Sequence, residues 1–138
     1  MSSTEKDPLM AEPRKIRVLI VDDELQFRLN LTTILNQRGF EIRTAGNGTE
    51  ALQEIRESPV DVVVLDINMP GMDGNETLRE MKKIKPELAI IMLTGYGTLA
   101  SALGSLREGV FDYLTKPCDI EALARRIRDA YEKKAASI

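Results

Sequence analysis

Short apolar runs that alternate with segments of helical periodicity leave this chain few ways to fold. Five runs read as strands: residues 16–21 (IRVLIV), 40–45 (FEIRTA), 60–65 (VDVVVL), 89–93 (AIIML) and 111–115 (FDYLT). Between them, residues 25–38 carry Phe27, Leu31, Ile34 and Leu35 at helical spacing, with Gly39 supplying the stop. Residues 49–57 turn Ala51, Leu52 and Ile55 inward, residues 75–85 and 98–108 read as two more helices, and residues 120–135 carry the stripe Ile120, Leu123, Ala124, Ile127 and Tyr131. Runs such as 16–21 and 60–65 are apolar almost throughout, as suits strands covered on both faces. Strand and helix in strict alternation imply βαβ crossovers and a parallel sheet. The expected architecture is a five-stranded, doubly wound α/β domain with helices on both faces.

In such a sheet the site lies outside the carboxyl ends of the strands. All the runs but 40–45 end in, or lead straight into, a polar residue suited to one site: Asp22-Asp23, Asp66, Thr94 and Lys116. Three carboxylates, a hydroxyl and an ammonium on one sheet edge suit a hard cation and a phosphoryl group together. Mg²⁺ takes oxygen ligands and commonly only one or two carboxylates. Asp23 and Asp66 are the expected direct ligands of Mg²⁺ or another divalent cation, with the Asn68 backbone carbonyl as a third and Asp22 acting partly through water. Asp66 follows the run expected to be the most deeply buried strand and is the expected nucleophile, since carboxylates form aspartyl-phosphate intermediates. Lys116 and the Thr94 hydroxyl would grip the phosphoryl oxygens. Taken singly, each residue has a plainer role: Asp22 or Asp23 as a helix cap, Asp66 and Thr94 as turn residues, Lys116 as a solvated lysine, and Tyr113 as a core residue.

Composition narrows the chemistry. The chain has 138 residues, enough for one domain with a sizeable core. Residues 1–14, punctuated by Pro8 and Pro13, read as a disordered lead-in to a domain over 15–136. The net charge of -3 and scattered basic residues argue against direct nucleic-acid binding. No apolar run approaches the roughly 20 residues of a membrane span, and Cys118, the only cysteine, suits a reducing compartment, so a soluble cytoplasmic protein is expected. Histidine is absent altogether, which removes histidine triads and any phosphohistidine on this chain. A histidine taking part in the chemistry must come from a partner.

At these residues a family resemblance becomes specific. Val21-Asp22-Asp23-Glu24, Leu65-Asp66-Ile67-Asn68-Met69-Pro70-Gly71-Met72-Asp73-Gly74, Leu93-Thr94-Gly95-Tyr96-Gly97 and Asp112-Tyr113-Leu114-Thr115-Lys116-Pro117 resemble, in order and spacing, the receiver domain of bacterial two-component response regulators. The resemblance covers about residues 16–134 and is greatest to receivers of nitrogen-regulation-type transcriptional activators. It implies strand order 2-1-3-4-5, Asp66 as phosphoacceptor, Asp22 and Asp23 as the acidic pocket, Thr94 as switch hydroxyl, Lys116 as phosphate contact, Tyr113 as switch aromatic, and a cis peptide before Pro117. It also implies that a sensor histidine kinase or phosphotransfer protein supplies the phosphoryl group. The altered face around residues 98–108, 111–115 and the last helix then engages an output partner or output domain, and a phosphorylation-dependent homodimer is compatible with this. Cys118 departs from the bulkier apolar residue often found after the Lys-Pro pair.

Two other classes compete. An aspartate-nucleophile phosphohydrolase of the haloacid-dehalogenase type needs a carboxylate two residues after the nucleophile, where Asn68 stands. A phosphorylation-independent interaction module would be suggested by a missing acid or lysine, and none is missing. The expected function is a phosphoacceptor switch, with self-phosphotransfer and slow autodephosphorylation rather than turnover of a substrate.

Overall fold

The computed structural model describes residues 14–67, 74–95 and 109–136. Along the chain these form β1 (Arg17–Val21), α1 (Leu25–Gln37), β2 (Glu41–Ala45), α2 (Gly48–Glu57), β3 (Val62–Asp66), α3 (Gly74–Ile84), β4 (Ala89–Thr94), β5 (Asp112–Thr115) and α4 (Ile120–Ala136). The strands make one five-stranded sheet in the order β2-β1-β3-β4-β5. Every pairing is parallel. The fold and strand order expected above are therefore present, with element ends moved by a residue or two. The helix expected over residues 98–108 and, apart from Arg14, the lead-in expected over residues 1–14 lie outside the described residues; Arg14 itself donates to Asp61.

Period-two alternation sorts the strand side chains into two cores. Leu19 and Val21 of β1, Val63 and Leu65 of β3, and Ile90 and Met92 of β4 face Ala51 and Ile55 of α2 and Leu78 and Met81 of α3. Their neighbours Val18, Ile20, Val62, Val64, Ile91 and Leu93 face Leu31 and Leu35 of α1 and Leu123, Ala124, Ile127 and Ala130 of α4. Both faces of the central strands are covered, so β3 is buried along its whole length. Each fully buried aliphatic side chain contributes on the order of 1.5–3 kcal/mol. This core holds the strand ends rigidly enough to carry a site.

Local chemistry explains where the helices begin and end. Gly39, at a φ of 92°, closes α1: its N–H donates to the Asn36 carbonyl and the Phe40 N–H reaches back to the Leu35 carbonyl. That pair of bonds satisfies carbonyls the helix leaves open, in a left-handed conformation glycine adopts freely. At the start of α2 the Asn47 side chain accepts the Glu50 N–H, while the Glu50 carboxylate accepts the Gly46 N–H, a near relative of the reciprocal capping box. Gly74 opens α3 against the end of β3. A Cβ there would lie 2.8 Å from the Cα of Ile67, so only glycine permits this close approach.

Candidate functional site

The carboxyl ends of β1, β3 and β5 bring Asp22, Asp23, Asp66 and Lys116 together. Asp22, Asp23 and Asp66 each offer a carboxylate oxygen, and these oxygens all lie within 4.8 Å of one another. Asp22 and Asp66 are buried, at 1% and 5% exposure, whereas Asp23 faces solvent. Two buried acids at such spacing repel unless a cation intervenes. Lys116 intervenes: its Nζ donates to Asp22 Oδ2 at 2.6 Å and to Asp66 Oδ2 at 3.4 Å. Burial works against the ammonium charge, but the hydrogen bond and charge of Asp22, with Asp66 behind it, prevail and lift the Lys116 pKa above the ordinary lysine value. Lys116 therefore stays charged throughout the neutral range.

Asp22 is clamped at every polar atom. Its N–H donates to the Ala45 carbonyl at 3.1 Å, and its own carbonyl accepts Arg28 Nη1 at 2.6 Å. Its Oδ1 accepts the Glu24 N–H at 2.9 Å while Oδ2 holds Lys116. The capping role considered for the acid pair is not what the structure shows. Glu24 occupies the cap position of α1, without a side-chain cap bond. Asp22 instead bridges the β1 end to Lys116, and Asp23 beside it points its carboxylate at the same cluster from the solvent side.

Arg28 went unnoticed in the sequence because its partner is a backbone carbonyl, which leaves no pattern. Its guanidinium lies between the Asp22 carbonyl and Gly46, where a Cβ would come within 3.1 Å of Nη1. The aromatic ring of Phe27, read from periodicity as part of the inward stripe, lies with its centroid 4.4 Å from Lys116 Nζ.

Thr94 ends β4 beside Thr115 of β5, which puts its backbone on the same sheet edge. Its side chain, like Asn68, lies outside what is described. Tyr113 lies in β5, half-buried against the α2–α3 core, and its hydroxyl has no hydrogen-bond partner among the described residues. Burial pushes the phenol pKa up, so the group stays neutral. The Lys116-Pro117 peptide is cis. Cys118 is half-buried beside it, and burial raises its thiol pKa as well.

A clamped acid, a second buried acid at the end of the central strand and an ammonium across both thus meet at the carboxyl edge of a flavodoxin-like parallel sheet. Residues 18–128 match the response regulator receiver domain, and the chain belongs to that family. Accepting a phosphoryl group is the function of these domains within two-component regulators. Among curated relatives, the transcriptional regulatory protein ZraR of Klebsiella oxytoca is 35% identical over 116 residues, covering 84% of this chain and 26% of that protein. The regulatory protein AtoC of Escherichia coli K12 is 42% identical over 107 residues, covering 78% of this chain and 23% of the relative. The chain thus spans about a quarter of the length of these relatives. Among solved structures, a CheY-like receiver domain protein from Methanospirillum hungatei JF-1 superposes with a TM-score of 0.86 at 30% identity, covering 90% of this chain and 99% of that one. The beryllofluoride-activated NtrC4 receiver domain dimer gives 0.81 at 34% identity, over 86% and 98%. Among the described residues no helix is long and apolar enough to cross a membrane.

Proposed function

We propose that Asp66 is the phosphoacceptor of this receiver, within a domain over residues 15–136. The observation that carries the reading is the three-carboxylate cluster bridged by one ammonium. An Asp66 carboxylate oxygen forms the new O–P bond as the donor's N–P bond breaks. The electron pair leaves on the donor nitrogen, which takes up a proton. Because the chain has no histidine, the phosphohistidine belongs to a sensor kinase or phosphotransfer protein. Lys116 and the Thr94 hydroxyl neutralise and hold the phosphoryl oxygens, and Tyr113 is the aromatic that responds to the change at Thr94. Relatives named as transcriptional regulatory proteins favour an output domain or partner that acts on transcription. The NtrC4 receiver dimer favours association of two copies on phosphorylation. The domain acts in the cytoplasm as a switch, with its own phosphotransfer and slow dephosphorylation as its only chemistry.

The donor set fits a hard cation, since all three acids offer oxygen. Asp23 and Asp66 would hold Mg²⁺ directly with the Asn68 carbonyl, and Asp22, with one oxygen on Glu24 and the other on Lys116, would act through water. When bound, the cation supplies charge neutralisation for the carboxylates and the transferring group. Asp23→Ala is expected to weaken Mg²⁺ binding by tenfold or more, on the order of the loss of one charged ligand. A titration that finds unchanged affinity removes Asp23 from the ligand set.

Incubation with phosphoramidate and Mg²⁺, followed by mass spectrometry, tests the acceptor. The expected result is one base-labile acyl phosphate on Asp66 and none in Asp66→Asn, which keeps the shape and loses the nucleophile. Wild-type labelling of the variant at another residue would sink the assignment.

A further inference from the structure

Lys116 meets two carboxylates on one side and an aromatic face on another. Its Nζ lies 2.6 Å from Asp22, 3.4 Å from Asp66 and 4.4 Å from the centroid of the Phe27 ring. A ring face attracts a cation through its quadrupole, most strongly where water is excluded. It has no lone pair of fixed direction, so it supports the ammonium over a range of positions. The carboxylates differ in this respect, because each draws Nζ to a set distance. An acyl phosphate on Asp66 would offer Lys116 phosphoryl oxygens in place of the carboxylate oxygen, and a ring face can keep its contact with the ammonium through such a change because it does not hold Nζ to one distance. It also covers one side of Nζ with carbon, and charges interact more strongly where water is kept away.

We propose that Phe27 is a positioning residue for phosphoryl acceptance, its ring holding the Lys116 ammonium within reach of the Asp66 phosphoryl group. The proposal rests on Asp66 being the acceptor. Its plainer rival is that Phe27 only fills the core, since the ring also packs against the α1–α4 cluster. Phe27→Leu keeps apolar bulk and loses the π face, whereas Phe27→Tyr keeps the face, so the two separate positioning from packing.

Three measurements decide it on the full chain. In the wild type, the ε-methylene protons of Lys116 are expected at high field from the ring current, and this shift is expected to disappear in Phe27→Leu and persist in Phe27→Tyr. The initial rate of Asp66 labelling by phosphoramidate with Mg²⁺ is expected to fall about 5- to 30-fold in Phe27→Leu. Phe27→Tyr should restore it to within about twofold, at comparable thermal stability of the two variants. Lys116 protons without an upfield shift in the wild type, a Phe27→Leu rate equal to wild type, or a Phe27→Tyr rate as low as that of Phe27→Leu would each overturn the role. Those outcomes leave Asp66 labelling intact in the wild type. A wild type that does not label at Asp66 overturns the acceptor reading, and this one with it.

Discussion

Lys116→Met is expected to slow phosphorylation of Asp66 by about 10²–10³-fold, the loss usual when one preorganised donor to a developing oxyanion is removed, without lowering affinity for Mg²⁺. The two halves of that result come from one geometry. Lys116 is the cation shared by the buried carboxylates of Asp22 and Asp66. If Asp66 is the acceptor, as proposed, Lys116 serves both as an electrostatic clamp for the transferring group and as a competitor for any metal that the same acids bind. Methionine keeps an unbranched chain and a soft contact with the Phe27 ring, so the substitution removes charge with little change in packing. With the ammonium gone, the two buried acids lose the cation they share, which lowers the melting temperature of the metal-free protein. Mg²⁺ should then recover more stability in the variant than in the wild type, because a ligand stabilises by mass action in proportion to how much better it binds the folded state. Labelling kinetics and melting curves with and without Mg²⁺ check both halves. A variant that loses metal binding along with phosphorylation would mean that Lys116 supports the shape of the acidic loop rather than the chemistry.

The sheet was legible in the sequence because its signals are local. VVVL reads as a strand covered on both faces, and it is buried throughout. Gly39 was recognisable as a stop because the left-handed turn closing α1 needs a residue without a Cβ. The acids and Lys116 were legible for a different reason: strands that run parallel must deliver their final residues to one edge, so Asp22 and Lys116 meet although 94 positions separate them. What the pattern could not carry were contacts that break its own rules. Periodicity assigns Phe27 to the core stripe and is blind to which charge lies over the ring. Arg28 answers a carbonyl, and every residue has one. Asp61 was absorbed into the strand run 60–65, although it precedes β3 and its carboxylate is buried at the opposite end of the sheet from the phosphoryl site.

That buried acid supports the second large effect. Asp61→Ala is expected to destabilise the fold by about 3 kcal/mol, a melting shift on the order of 10 °C, discounted from the usual cost of breaking a buried pair because its arginine partners reach solvent. Asp61 is 1% exposed. It accepts the Arg17 N–H at 2.9 Å, Arg17 Nε at 3.1 Å, Arg17 Nη2 at 3.2 Å and Arg14 Nη2 at 3.3 Å, with Lys134 Nζ of α4 at 3.6 Å. The carboxylate thus ties the start of β1 and the end of α4 to the foot of β3. Burial opposes its charge, but the hydrogen bonds and charge of Arg17 and the charge of Arg14 outweigh burial, and the Asp61 pKa lies below the ordinary carboxylate value. An acid with a depressed folded-state pKa contributes its full stability above the unfolded value of about 3.9 and loses it as pH falls through the folded one. The gap between wild type and Asp61→Ala should therefore be level from pH 8 to pH 5 and narrow below about pH 4. Denaturant melts across that range measure it. Phosphorylation of Asp66 at neutral pH should stay within about twofold of wild type, since Asp66 ends β3 while Asp61 precedes its start, and changes at distant sites are close to additive. A gap that stays constant down to pH 2 would show that Asp61 acts through its shape alone, and a collapse of labelling in the folded variant would show that the two ends of β3 are coupled.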